Sequence, residues 1–248
     1  MGVCVGITSF NVPLMLFASK AAPALATGNT FICKPSERNC FSTIFMGKLF
    51  KEAGFPPGVM NFLVGEGQTG ALLAEHPDVN KISFTGSVAT GIKINVAAAK
   101  TMKRVTLELG GKSPSIVFGD CNLDIAVKEC LQGFIMLSGQ ICAASTRIYV
   151  EESFAEKFIT ALQGAAEGAV AIFGDPHDRN KVIGTIVDAH QHARVKQYIE
   201  SGKKEATLVT GGESLGDKVR QLRLTYLTLR DCSSSRRSLR MRSLMQRF

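Results

Sequence analysis

Five times in the first 110 residues a short apolar run, four to six residues long, is separated from the next by a helix-length segment. The runs fall at 2–7, 30–33, 60–64, 81–85 and 105–108, and the segments between them read as helices at 13–26, 40–53, 69–76 and 89–100. Runs apolar on both alternating faces must be covered on both sides, and connections this long carry the chain back to start the next strand in the same direction. The pattern predicts an α/β fold: a parallel, Rossmann-like sheet with helices on both faces. Pro13 suits the first turn of its helix, where no backbone N–H is needed.

The rhythm restarts after Gly110-Gly111. Strands are expected at 114–118, 147–150 and 207–210, with helices at 124–133, 153–168 and 188–201 and a Gly/Asp/Pro turn at 174–178. These elements imply part of a second α/β domain. The expected organisation is residues 1–110, residues 111–218, and a tail at 219–248.

Charge supports that last division. The chain carries a net +8, but residues 219–248 hold eight arginines, one acid and no lysine, a net of +7, which leaves +1 for the body. A near-neutral body excludes a general nucleic-acid binder. The tail lacks amphipathic periodicity and runs into Ser/Arg low complexity, so disorder is expected there rather than a basic binding arm. The seven cysteines show no CxxC pair, the usage of a reduced intracellular protein. His190 and His192 have no accompanying acid or thiol cluster, so no metal is expected. No apolar run reaches membrane-spanning length, and the start lacks the basic region of a signal peptide, with Lys20 breaking its apolar stretch. The expected location is the cytoplasm, with no membrane partner.

Two motifs carry candidate chemistry. LELGGKSP at 107–114 and GQICAASTR at 139–147 set a carboxylate, Glu108, and a thiol, Cys142, among glycines and small residues. A carboxylate can activate water and a thiol can attack carbonyl carbon. Most cysteines and glutamates are structural, so the pair needs its surroundings. Three strand-to-helix loops provide them. KPSE at 34–37 offers Lys34 and Glu37 within one turn, a match for ribose hydroxyls. GEGQTG at 65–70 is a literal GxGxxG without a well-placed acid downstream. FTGS at 84–87 places Gly86 and Ser87 at a helix start, a ready phosphate site. Each alone is a tight turn; three at successive strand ends favour a dinucleotide crevice.

Seven ordered strings, SFNVP, PALATGN, KPSE, KEAGFPPGVMN, FTGS, LELGGKSP and GQICAASTR, resemble the NAD(P)-dependent aldehyde dehydrogenase superfamily over about residues 2–218. The resemblance implies oxidation of a small-molecule aldehyde to a carboxylic acid through a cysteine thiohemiacetal and thioester. It implies Cys142 as nucleophile, Glu108 as base for thioester hydrolysis, and Asn11 as oxyanion donor. It assigns Lys34, Glu37, Gly86, Ser87 and Gly110 to the cofactor, with Ser87 on the pyrophosphate and the GxGxxG only an adjacent loop. Glu37 would repel a 2′-phosphate, so NAD is expected ahead of NADP.

The departures are specific. Phe10 stands where the family usually has Trp, and Ser9 where it usually has Pro. No counterpart of the family's long leading stretch precedes Met1. After Gly211-Gly212 and Gly216-Asp217-Lys218 comes the arginine tail rather than the EEIFGP segment that reaches the nicotinamide ribose. The family's homo-oligomerisation elements have no counterpart here either. The resulting alternative is a truncated, catalytically inactive relative, and the expectation for this chain is little or no dehydrogenase activity.

Overall fold

The computed structural model describes residues 1–214, 226–231 and 241–245. The chain divides into two compact units, Met1–Gly110 and Gly111–Phe248.

The first unit holds strands β1 (Val3–Ile7), β2 (Thr30–Lys34), β3 (Met60–Phe62), β4 (Lys81–Gly86) and β5 (Arg104–Leu109), with helices α1 (Pro13–Ala26), α2 (Phe41–Glu52), α3 (Gly67–Glu75) and α4 (Val88–Ala99) between them. All pairings are parallel and the strand order is β3-β2-β1-β4-β5. The period of two along the strands sorts the core onto two faces. Cys4, Phe31 and Cys33 pack with Phe17 and Ala21 of α1, joined by Met46 and Phe50 of α2. Val5, Ile7, Ile82 and Phe84 pack with Leu73 and Ala74 of α3 and Ile94 of α4. Helices therefore cover both faces, as apolar runs of this kind require.

Strand order reverses between β1 and β4, because β1 leads to β2 on one side and β4 lies on the other. In open parallel sheets the crevice for a ligand forms at the carboxyl ends of the strands beside such a reversal. The opposite end is laced by asparagines. Asn29 Oδ1 accepts from the Gly2 N–H at 3.0 Å, and Asn80 Oδ1 accepts from the Val3 N–H at 2.8 Å.

The second unit holds β6 (Pro114–Val117), α5 (Leu123–Ile135), β7 (Arg147–Glu151), α6 (Glu152–Gly168), α7 (Ala189–Glu205) and β8 (Thr207–Thr210). Short 3-10 turns follow α5 at Met136–Gly139 and α6 at Ala169–Ile172. Its core gathers Phe134 of α5, Ile148 and Val150 of β7, and Phe158 and Leu162 of α6. Asn122 caps α5 by accepting from the Ile125 N–H at 3.1 Å, and Asp188 caps α7 by accepting from the Gln191 N–H at 2.7 Å.

The tail departs from expectation. Tyr226–Asp231 forms β9 and Met241–Met245 forms β10, and the sheet order is β6-β7-β10-β9-β8, with only β6 and β7 parallel. The arginine content masked a run, Tyr226-Leu227-Thr228-Leu229, of residues suited to a strand. β10 pairs antiparallel with β7 from Met241 opposite Glu151 to Met245 opposite Arg147. The other positions of that stretch lie outside the described residues.

Candidate active site

Every site residue assigned to the first unit lies at or just beyond the carboxyl end of a strand. Asn11 follows β1, Lys34 ends β2 with Glu37 three residues on, Gly86 ends β4 with Ser87 beside it, and Glu108 sits near the end of β5 ahead of Gly110. Parallel pairing places all of these at one end of the sheet.

Asn11 is half-buried, and its Oδ1 accepts from Ser9 Oγ at 2.7 Å. With the oxygen engaged, the amide nitrogen is the end left to donate. Ser9, noted in the sequence as a departure, thus orients the amide it precedes. Phe10 is fixed on the same loop: its carbonyl accepts from Asn39 Nδ2 at 3.0 Å, and the Arg38 guanidinium lies 5.8 Å from its ring centroid.

Lys34 is buried, with Nζ 3.6 Å from a Glu37 carboxylate oxygen whose side chain stays 44% exposed. The pair thus offers a fixed cation and an accessible carboxylate. Gly86 has no room for a side chain, since a Cβ would run into the Phe84 ring. Ser87 caps α4: its Oγ accepts from the Thr90 N–H at 3.2 Å and donates to Thr90 Oγ1 at 2.9 Å. The exposed helix start offers backbone N–H groups with the helix dipole behind them. Around Gly110 there is open space, so its backbone is accessible. The GxGxxG loop follows β3 at the sheet edge, two strands from the β1–β4 reversal, and α3 begins within it at Gly67.

Glu108 pairs with Thr85 of β4 and is exposed, while Val105, Leu107 and Leu109 turn to the core. Near it is a residue that the sequence reading noted only as a break in an apolar stretch. Lys20 lies on the buried face of α1 with Leu16, Phe17 and Ala21, and its Nζ donates to Ser83 Oγ at 3.2 Å. Burial lowers its pKa, and the negative charge of Glu108 works against that shift. A lone lysine in an apolar helix was the available signal.

In the second unit, Cys142 sits exposed in the turn between the 3-10 segment and β7. Among the described residues no acceptor is found for its backbone N–H. The approach to it is unusual: Leu137 (φ 52°, ψ 32°) and Ser138 (φ 59°, ψ 34°) are both left-handed, and Gly139 follows at φ 75°. Each such non-glycine residue costs about 1–2 kcal/mol. Side chains tie this loop to residues 184–187. Ser138 Oγ donates to the Gly184 carbonyl at 2.6 Å, while Gln140 Nε2 donates to the carbonyls of Leu137 at 3.1 Å and Thr185 at 3.3 Å. Gln140 Oε1 accepts from the Val187 N–H at 2.9 Å. Four bonds at about 1 kcal/mol each offset a cost of that size.

A cavity of about 610 Å³ in this unit is lined by Cys121 and the buried Cys130, among others, but by none of the assigned site residues. Burial pushes the Cys130 thiol up to about 11. Among the described residues no group of three or more His, Cys, Asp or Glu is arranged to hold a metal, and no helix is long and apolar enough to cross a membrane.

Residues 1–236 match the aldehyde dehydrogenase family, so the likeness extends past Lys218 into the arginine-rich stretch that the sequence reading set outside it. Human retinal dehydrogenase 2 is 47% identical over 221 residues, covering 88% of this chain and 42% of that protein. A rat cytosolic aldehyde dehydrogenase is also 47% identical over 221 residues, with 88% and 44% covered. Among solved structures, betaine aldehyde dehydrogenase from Staphylococcus aureus in complex with NAD+ superposes with a TM-score of 0.87 at 34% identity, covering 90% of this chain and 45% of that one. Another form of that enzyme carries a BME-modified cysteine. Lactaldehyde dehydrogenase from Escherichia coli gives the same TM-score at 39% identity, with 90% and 47% covered. The chain spans less than half the length of the curated relatives it matches.

Proposed function

The chain belongs to the aldehyde dehydrogenase family, and from that premise we propose that its site serves the NAD-dependent oxidation of an aldehyde to a carboxylic acid. The observation that carries the reading is the gathering of Asn11, Lys34, Glu37, Gly86, Ser87 and Glu108 at one end of a parallel sheet beside its strand-order reversal. An exposed thiol in the GQIC turn of the second unit adds the nucleophile.

The residues fit a dinucleotide. Lys34 and Glu37 would hold the adenosine ribose, with the Glu37 carboxylate disfavouring a 2′-phosphate and hence NADP. Ser87 and the start of α4 would take the pyrophosphate, and Gly86 would let it approach the backbone. When bound, NAD supplies a hydride acceptor. The protein's own groups do the rest. Cys142, once its thiol proton has passed to water, would add to the aldehyde carbon to form a thiohemiacetal alkoxide, and loss of hydride from that carbon to bound NAD would re-form the carbonyl as a thioester. Asn11 Nδ2 and the Cys142 backbone N–H would hold the developing oxyanion. Glu108 takes a proton from the water that hydrolyses the thioester, releasing the acid and restoring the thiol. A cytoplasmic location and an aldehyde such as retinal, betaine aldehyde or lactaldehyde fit the same reading, since these are the names its relatives carry.

A span under half that of its relatives favours a second reading, in which these 248 residues keep the chemistry of the site without sustaining turnover. One experiment separates the two. Purified chain is mixed with NAD and a panel of aldehydes, and NADH and the Cys142 acyl adduct are followed from the first second onward. Sustained NADH production that Cys142→Ser abolishes supports the enzyme. A Cys142-dependent adduct without turnover supports the second reading. Absence of both signals overturns the proposed chemistry.

A further inference from the structure

We infer that Gln140 is a positioning residue, one that holds the loop carrying Cys142 in its left-handed path by clamping it to residues 184–187. The inference rests on the proposed role of Cys142 and adds to it a residue that acts through the thiol's backbone rather than on the substrate.

The clamp uses both ends of one amide. Nε2 donates to Leu137 within the loop and to Thr185 outside it, and Oε1 accepts from the Val187 N–H. Gln140 thereby closes the loop on itself and pins it to a segment 45 to 47 residues away. Ser138 Oγ adds a fourth bond, to Gly184. The anchor is itself fixed. Ile183 is in the core and bridges Phe173, Ile186 is buried, and Asp188 caps α7 immediately after the clamp.

The loop needs holding because two successive residues with side chains, Leu137 and Ser138, have positive φ. Residue preference does not favour that path, since a left-handed conformation is routine only for glycine, Asn and Asp. Remove the clamp and the loop relaxes toward right-handed or extended backbone, carrying with it the turn that starts at Ile141 and presents Cys142. A thiol displaced by a fraction of an ångström attacks at a poorer angle, so the loss falls on the chemical step and not on substrate affinity.

The test uses the full chain and two variants. Gln140→Met keeps the shape and loses every bond, while Gln140→Glu keeps an acceptor for Val187 and loses both donors. Hydrogen exchange is read on peptides covering 136–144 and 183–188, with remote peptides as controls. Acylation of Cys142 by 4-nitrophenyl acetate, which needs the thiol but no NAD, is read as the single-turnover rate constant and the ester concentration that half-saturates it. In Gln140→Met, exchange in both segments should rise and the acylation rate constant fall, each roughly tenfold, with half-saturation unchanged; Gln140→Glu, whose second carboxylate oxygen would face the Leu137 and Thr185 carbonyls, should be impaired at least as much. Unchanged exchange in both variants overturns the clamp. Faster exchange with an unchanged acylation rate constant overturns its positioning role. If the parent chain is not acylated at Cys142, the proposed function fails on its own, and exchange still decides the clamp.

Discussion

At the scale of single residues, the cysteines show how environment sorts one side chain into different roles. Burial raises the Cys33 thiol to about 12 and the Cys130 thiol to about 11, while Cys142 is exposed. The thiolate is the reactive form, so at pH 8 iodoacetamide should label Cys142 within minutes and leave Cys33 and Cys130 unmodified in the folded chain. Peptide mass spectrometry checks this, and labelling of Cys33 before Cys142 would contradict it. The same shift bears on stability. Folded Cys33 keeps its proton to a higher pH than the unfolded chain, whose thiol ionises near 9.0. Its contribution is therefore fully present below about pH 9 and is lost as pH rises toward about 12. The motif residues could be singled out because seven ordered strings resemble one family, and their proposed roles come from that resemblance. Their orienting partners could not be. Ser9 reads as a missing proline until its hydroxyl is seen on Asn11, and the reach of Gln140 to Thr185 and Val187 leaves no mark in local sequence.

At the scale of elements, the strands and helices of the first unit were legible from apolar periodicity, and their bounds differ from expectation by one or two residues. The 3-10 segment at Met136–Gly139 was not, because backbone of positive φ at Leu and Ser is imposed by distant bonds and not by propensity. Helix α4 carries a prediction. Ser87 satisfies the Thr90 N–H, so Ser87→Ala should cost about 1 kcal/mol, read as a lower midpoint in urea, with the m-value unchanged. An unaltered midpoint would mean that the cap is replaced by water. Strand β5 shows how pairing places a functional group. A one-residue slip against β4 would turn Glu108 into the core and Leu107 and Leu109 out of it, so apolar burial selects the register that exposes the carboxylate.

At the scale of the whole molecule, each unit has its own core and its own sheet. Since all five strands of Met1–Gly110 pair only with one another, that segment expressed alone should fold, with helical far-UV circular dichroism and a single cooperative melt. A non-cooperative melt would show that its cores are too small to stand alone. The tail was the least legible part, since composition pointed to disorder where β9 and β10 form. The parallel sheet of the first unit has one more consequence. Every loop with proposed chemistry leaves from the carboxyl ends, so the returns at the other end are free to vary. The turn at Gly28 and the stretch from Gly54 to Gly58 lie there, with open space at all three of those left-handed glycines. The molecule thus has a natural handle: an epitope or a surface tether grafted at Gly54–Gly58 would be held a full strand length from the ligand crevice.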